Sequence, residues 1–116
     1  MYIVTGGAGF IGSAMVWQLN QLGITDILVV DHLASSEKWK NLVPLKYRDY
    51  IDRDEFASKI RNRSIGHIDA IIHLAAQAGV RYSLENPRAY VDANLVGTFN
   101  VMEVARELKV AHLLMA

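Results

Sequence analysis

Apolar, β-branched runs recur along this chain with helix-spaced segments between them, and that alternation predicts the architecture before any motif is considered. The runs YIVT (2–5), DILVVD (26–31), LKY (45–47), IDAIIHLA (68–75) and AHLLMA (111–116) read as strands. Between the first two, Gly12, Met15, Val16, Leu19 and Leu22 fall at helical spacing, and Gly23 stands where a helix end favours positive φ. Residues 54–61 predict a shorter helix with Phe56 and Ile60 on one face. Asn86 and Pro87 then supply a capping residue and a first-turn proline for an uninterrupted helix to about residue 109, roughly 30 Å long at about 1.5 Å per residue. On it, Leu95, Phe99 and Met102 are expected to cover the sheet, with Val91, Val101 and Val104 facing a second contact.

Strands that are nearly all apolar and alternate with helices predict a parallel sheet covered on both faces through right-handed crossovers. The expected fold is doubly wound α/β, with five strands in the order 3-2-1-4-5. The polar, turn-rich stretch 32–44 lies where such folds put a ligand-facing loop. Composition changes this picture little: 116 residues with 52% hydrophobic and 21% charged side chains suit one compact domain. A formal net charge of +0 removes the basic footprint of a nucleic-acid binder. With no cysteine, disulfides, thiolate catalysis and cysteine-zinc sites are excluded, and a reducing cytoplasm is compatible. The apolar runs are too short for a bilayer, and the N-terminus lacks a signal-peptide pattern, so a cytoplasmic location without membrane contact is expected.

The stretch VTGGAGFIGS (4–13) carries the chemistry. Gly6, Gly9 and Gly12 stand between a predicted strand and a predicted amphipathic helix, where the first lets the chain turn, the second clears space for a pyrophosphate and the third lets helix and strand pack closely. Asp31, at the end of the second strand, is placed to accept hydrogen bonds from a ribose diol. A glycine-rich turn beside an unrelated surface aspartate is the competing reading; strand, spacing and acid together favour a phosphate cradle. The four histidines form no helical pair and no carboxylate cluster joins them, so no metal site is expected. Lys38, Lys40, Lys46, Arg48 and Arg53 read mainly as a solvated basic face.

The segments TGGAGFIGS, VVDHL, IIHLAAQAGVRYS and NLVGTFNVME resemble the extended short-chain dehydrogenase/reductase family, in particular its nucleotide-sugar epimerases and dehydratases. Residues 1 to about 60 are most similar to ADP-glycero-manno-heptose 6-epimerases and residues 68–116 to UDP-glucuronate 4-epimerases, as expected of a recombined or engineered chimera or of a natural relative that combines features of both. The resemblance implies a Rossmann domain for NAD, with NADP possible. It places Gly6, Gly9, Phe10, Ile11 and Gly12 at the pyrophosphate, Asp31 and His32 at the adenosine ribose, and Lys38 near a ribose 2′-phosphate. Asp52 and Arg53 fall at the adenine end, and Leu74, Ala75, Ala76 and Gln77 along the nicotinamide half. Asn94 is implied to brace the active-site backbone, and Arg81 and Ser83 to lie in a substrate-facing loop.

Family catalysis needs a tyrosine followed four residues later by a lysine that lowers its pKa. Tyr2, Tyr47, Tyr50, Tyr82 and Tyr90 are followed at that distance by Gly6, Ile51, Asp54, Asn86 and Asn94. The expectation is one cofactor-binding domain over residues 1–116, with no catalytic residues and without the family's substrate domain; nucleotide-sugar chemistry then belongs to the full-length family. A structural module with weak or no cofactor binding is the alternative. Self-association, through the last strand's edge or the long helix, is also expected.

Overall fold

The computed structural model describes residues 1–62 and 64–116. Its sheet comprises β1 (Tyr2–Thr5), β2 (Ile27–Asp31), β3 (Asp49–Asp52), β4 (Ala70–His73) and β5 (His112–Met115). All pair in parallel in the order β3-β2-β1-β4-β5, as the alternation predicts. Register aligns the strand ends: Asp52 opposes Asp31, Thr5 opposes both Val30 and His73, and His73 opposes Met115. One end of the sheet therefore carries a row of polar residues on an apolar scaffold.

Period-two alternation divides the core. Ile3, Leu28, Val30, Ile51 and Ile71 pack on one face with Phe56 of α2 (Arg53–Arg61). Val4, Val29 and Ile72 pack on the other with Val16 and Leu19 of α1 (Phe10–Gln21). Each such aliphatic side chain removed from water contributes about 1.5–3 kcal/mol, so both faces are needed to offset chain ordering. The helix α1 ends as predicted, with Gly23 at φ +79.

The third strand is Asp49–Asp52, not 45–47. The Asn20 side chain accepts from Lys46 N and donates to Lys46 O, each at 2.8 Å, so a helix residue satisfies the backbone there. Leu45 and Tyr47 pack beneath α1 instead. The true edge strand was missed because only Ile51 of its residues is buried.

The C-terminal helical region is also not uninterrupted. It runs as α3 (Val80–Glu85), α4 (Pro87–Tyr90), a π-helical stretch Val91–Gly97 and α5 (Thr98–Glu107). Asn86 caps α4 by accepting from Ala89 N, with Pro87 in the first turn, as expected. The assignment of faces is reversed for Val101 and Val104, while Val91, expected at the same second contact, is exposed. Val101 and Val104 are buried against the sheet with Ala105 and Leu108 alongside, whereas Leu95, Phe99 and Met102 are 67%, 59% and 48% exposed. Two apolar stripes compete on this helix, and the slimmer valines allow the closer approach to the strands. The wider i→i+5 turns upstream rotate residues 91–97 away from simple helical spacing.

Candidate functional site

The turn leaving β1 is shaped by steric necessity. Gly6 sits at φ +70, and a Cβ there would lie 2.9 Å from Ala75 N. A Cβ on Gly12 would approach Gly6 O to 2.0 Å, so α1 rests directly on the turn. Gly9 differs: a side chain there meets only Gly6 O, at 3.3 Å, and otherwise opens outward. Gly9 is the N-cap of α1 without any side-chain cap, no acid occupies the first turn, and Phe10 and Ile11 are exposed. A helix start with free amides and no acidic side chain is electrostatically suited to an anion. Gly7, not singled out from sequence, is also required, since its Cβ would lie 2.9 Å from Val29 Cγ1.

At the end of β2, Asp31 is buried and both of its carboxylate oxygens accept hydrogen bonds. Its Oδ2 accepts from Ala8 N at 2.9 Å; its Oδ1 accepts from His32 N and Lys38 Nζ, each at 2.7 Å. Lys38 opens a short 3₁₀ helix, Lys38–Leu42, whose Asn41 donates to Ala8 O at 2.8 Å. The two peptide groups flanking the Ala8 Cα are thus each held by a side chain. Tyr50 donates its hydroxyl to Asp31 O at 3.0 Å, and burial raises its pKa. His32 Nδ1 lies 2.9 Å from Asp52 Oδ2, and Asp52 caps α2 by accepting from Asp54 N. The Asp54 N–H and then His32 hold the Asp52 carboxyl below its ordinary range. Arg53 pairs with Asp54 at 3.7 Å and adds a smaller Coulombic pull on the Asp52 carboxyl.

Beyond β4 the chain is tied at both ends. Thr5 Oγ1 accepts from Leu74 N at 3.2 Å and Ala75 N at 3.3 Å. Gln77 N donates to Asn94 Oδ1 at 2.7 Å, and Asn94 Nδ2 donates back to Gln77 O at 2.9 Å. Asn94, on the π-helical stretch, thus ties down the backbone at Gln77. Ala75, Ala76 and Asn94 line a cavity of about 370 Å³ with His73, Thr98 and Met115. A shallower hollow of about 650 Å³, bounded by Thr25, Leu42 and Arg48, lies at the opposite end of β2, away from these residues. Arg81 and Ser83 lie on α3 rather than in a loop. Sequence reading missed Thr5, Ala8, Asn41 and Thr98; a threonine closing an apolar strand and an asparagine within 32–44 were the available signs.

Among the described residues no group of acids and histidines is arranged to hold a metal, and no helix is long and apolar enough to cross a membrane. Sheet order, glycine turn and acid at the second strand end define a Rossmann-type dinucleotide fold. The chain belongs to the NAD dependent epimerase/dehydratase family, whose model matches residues 2–116.

Among curated proteins, it is 58% identical over 77 residues to ADP-L-glycero-D-manno-heptose-6-epimerase of Nitratidesulfovibrio vulgaris, covering 66% of this chain and 24% of that one. UDP-glucose 4-epimerase of Thermotoga maritima, solved with UDP-glucose, is 31% identical with a TM-score of 0.82, covering 98% of this chain and 36% of that one. The Thermus thermophilus UDP-glucose 4-epimerase in complex with NAD is 31% identical with a TM-score of 0.71, covering 94% and 34%. The chain therefore spans about 24% of its curated relative's length and little more than a third of these structures.

Proposed function

We propose that this chain binds NAD(H) or NADP(H) across the polar ends of β1, β2 and β4 and does not turn over nucleotide sugars by itself. Gly6, Gly9, Phe10, Ile11 and Gly12 take the pyrophosphate, and Asp31 and His32 the adenosine ribose. Lys38 lies beside the ribose 2′ position, and Asp52 with Arg53 toward the adenine. Leu74, Ala75, Ala76, Gln77 and Asn94 border the nicotinamide half. The fit is supported by the open space over Gly9 and the uncapped start of α1. The single observation that carries the reading is the Asp31 carboxylate, held at 2.9 Å against the glycine turn before any ribose arrives. When bound, the nicotinamide supplies a hydride acceptor; the residues here bind and orient it. No tyrosine is followed by lysine at the catalytic spacing, so proton abstraction has no agent in this sequence.

Calorimetric titration with NAD and NADP tests this. Saturable binding at one site is expected; no heat from a folded chain would leave a structural module without a cofactor. We also propose self-association, supported by the exposed Leu114 and Met115 on edge strand β5 and the exposed stripe of Val91, Leu95, Phe99 and Met102. Light scattering across a dilution series should show a concentration-dependent mass; a constant 13.0 kDa species would refute it.

A further inference from the structure

Thr5, His73 and Thr98 form a hydrogen-bonded chain joining β1, β4 and α5. Thr5 Oγ1 lies 2.6 Å from His73 Nδ1, and His73 Nε2 lies 3.1 Å from Thr98 Oγ1. Proton positions follow from counting donors and acceptors. A threonine hydroxyl has one proton and two lone pairs. The Thr5 lone pairs receive the N–H groups of Leu74 and Ala75, the former shared with Thr5 O, so only the hydroxyl proton remains for His73. Nδ1 is therefore the acceptor, His73 is neutral with its proton on Nε2, and that N–H donates to Thr98 Oγ1.

Protonation of Nδ1 would set two donors against each other across 2.6 Å. Thr5 Oγ1 can accept from the imidazolium only by giving up one of these amides: Leu74 N keeps Thr5 O at 3.1 Å, whereas Ala75 N has its hydrogen bond here through Thr5 Oγ1 at 3.3 Å. Those residues begin the segment that ends at Gln77 under the Asn94 brace, and Ala75 N is the atom closest to the space above Gly6. The groups facing the ring are Thr5 from β1, Met115 from β5, Thr98 from α5 and Asn94 from the π-helical stretch, and Ala116, whose N–H donates to His73 O at 3.3 Å, completes the lining. None of the side chains lining the adjoining cavity is charged. Burial keeps the imidazole pKa below its ordinary value of 6.5, so the neutral form holds near neutrality and the ring takes up a proton only below that value.

We propose that His73 is a positioning residue and a proton-operated latch: neutral, it fixes residues 74–77 between Thr5 and Asn94, and protonated, it releases them and weakens dinucleotide binding. The binding half of this statement rests on the dinucleotide reading; the backbone half does not. Heteronuclear NMR of the imidazole nitrogens and of the Leu74 and Ala75 amides, from about pH 8 to about pH 5, tests the latch directly. The Nε2–H tautomer is expected at the upper end, with the Ala75 amide losing roughly tenfold of its exchange protection, beyond the intrinsic pH effect, as His73 protonates, and Leu74, which keeps Thr5 O, losing less. NAD affinity should fall about tenfold along the same titration, the scale of one lost hydrogen bond. His73→Asn, whose side-chain oxygen stands in for Nδ1 and does not titrate, should remove this pH response; Thr5→Ser, which keeps the hydroxyl, should retain it. An Nδ1–H tautomer, or amides whose protection ignores the His73 titration, overturns the latch even if the variants fail to fold. If the amides loosen as expected but NAD binds at no pH, the latch stands and the dinucleotide reading falls. If NAD binds with an affinity that does not follow His73, the latch is overturned and the reading stands.

Discussion

The Asp31 carboxylate accepts the Ala8 N–H at 2.9 Å, fastening the end of β2 to the turn between β1 and α1. One acid thus has two tasks, holding the glycine turn and, in the proposed function, meeting a ribose. Asp31→Ala removes the acceptor of Ala8 N and the partner of Lys38 Nζ. A loss of about 1–3 kcal/mol is expected, measured by urea unfolding, together with loss of dinucleotide affinity. Unchanged stability would show that the carboxylate does not organise the turn.

The glycines separate structural from ligand roles. Gly12→Ala puts a Cβ 2.0 Å from Gly6 O and should destabilise by at least about 1–3 kcal/mol, whereas Gly9→Ala meets only a 3.3 Å contact and should barely move the melting temperature. Gly9→Val should remain folded yet lose NAD binding. A folded Gly9→Val with intact affinity would place the pyrophosphate elsewhere.

Lys38 Nζ contacts Asp31 Oδ1 at 2.7 Å, so in the proposed function a cation accompanies the acid that meets the ribose. NAD is expected to bind at least as well as NADP. Lys38→Ala should weaken NADP by roughly tenfold more than NAD, the scale of one charge-assisted hydrogen bond. Parallel titrations with the two dinucleotides decide it.

Asn94→Ala removes both side-chain bonds to the Gln77 backbone. Because this brace is solvent-accessible, the expected cost is about 1 kcal/mol. Faster hydrogen exchange should be confined to the segment after β4; a chain-wide rise would mean that the brace holds the whole fold.

Stability should fall on acidification in two windows. His73 is held by burial below its ordinary value of 6.5, so the unfolded chain takes up its proton first. Stability is therefore full above that value and declines as pH drops from it through the folded-state pKa. Asp52, lowered by Asp54 N–H and His32, contributes above its ordinary value of 3.8 and loses that contribution as pH falls through its folded pKa. A melting-temperature profile in wild type and His73→Asn should differ in the upper window alone.

The fold was largely legible because buried parallel strands write themselves as apolar runs, and the glycine turn because sterics leave no substitute at Gly6 or Gly12. What sequence hid was set by side chains acting on distant backbone. The Asn20 grip on Lys46 disguised a loop as a strand, and the polar edge β3 disguised a strand as a loop. Asn41, Thr5 and Thr98 carry no local pattern; their roles exist only once Ala8 and His73 are brought beside them. The face of α5 was misread because size suggested Phe99 and Met102 as core, while packing selected Val101 and Val104.

Asn20 and Lys46 also set a rule for splicing relatives together. The stretch leading into the Asp52 strand takes its path from a side chain on the first helix, 26 positions upstream. A crossover between these partners would pair a helix from one parent with an approach segment from another and displace the acid that caps α2. A junction between residues 62 and 68 keeps the pair together, so inheritance of this half-sheet follows a hydrogen bond rather than an element boundary.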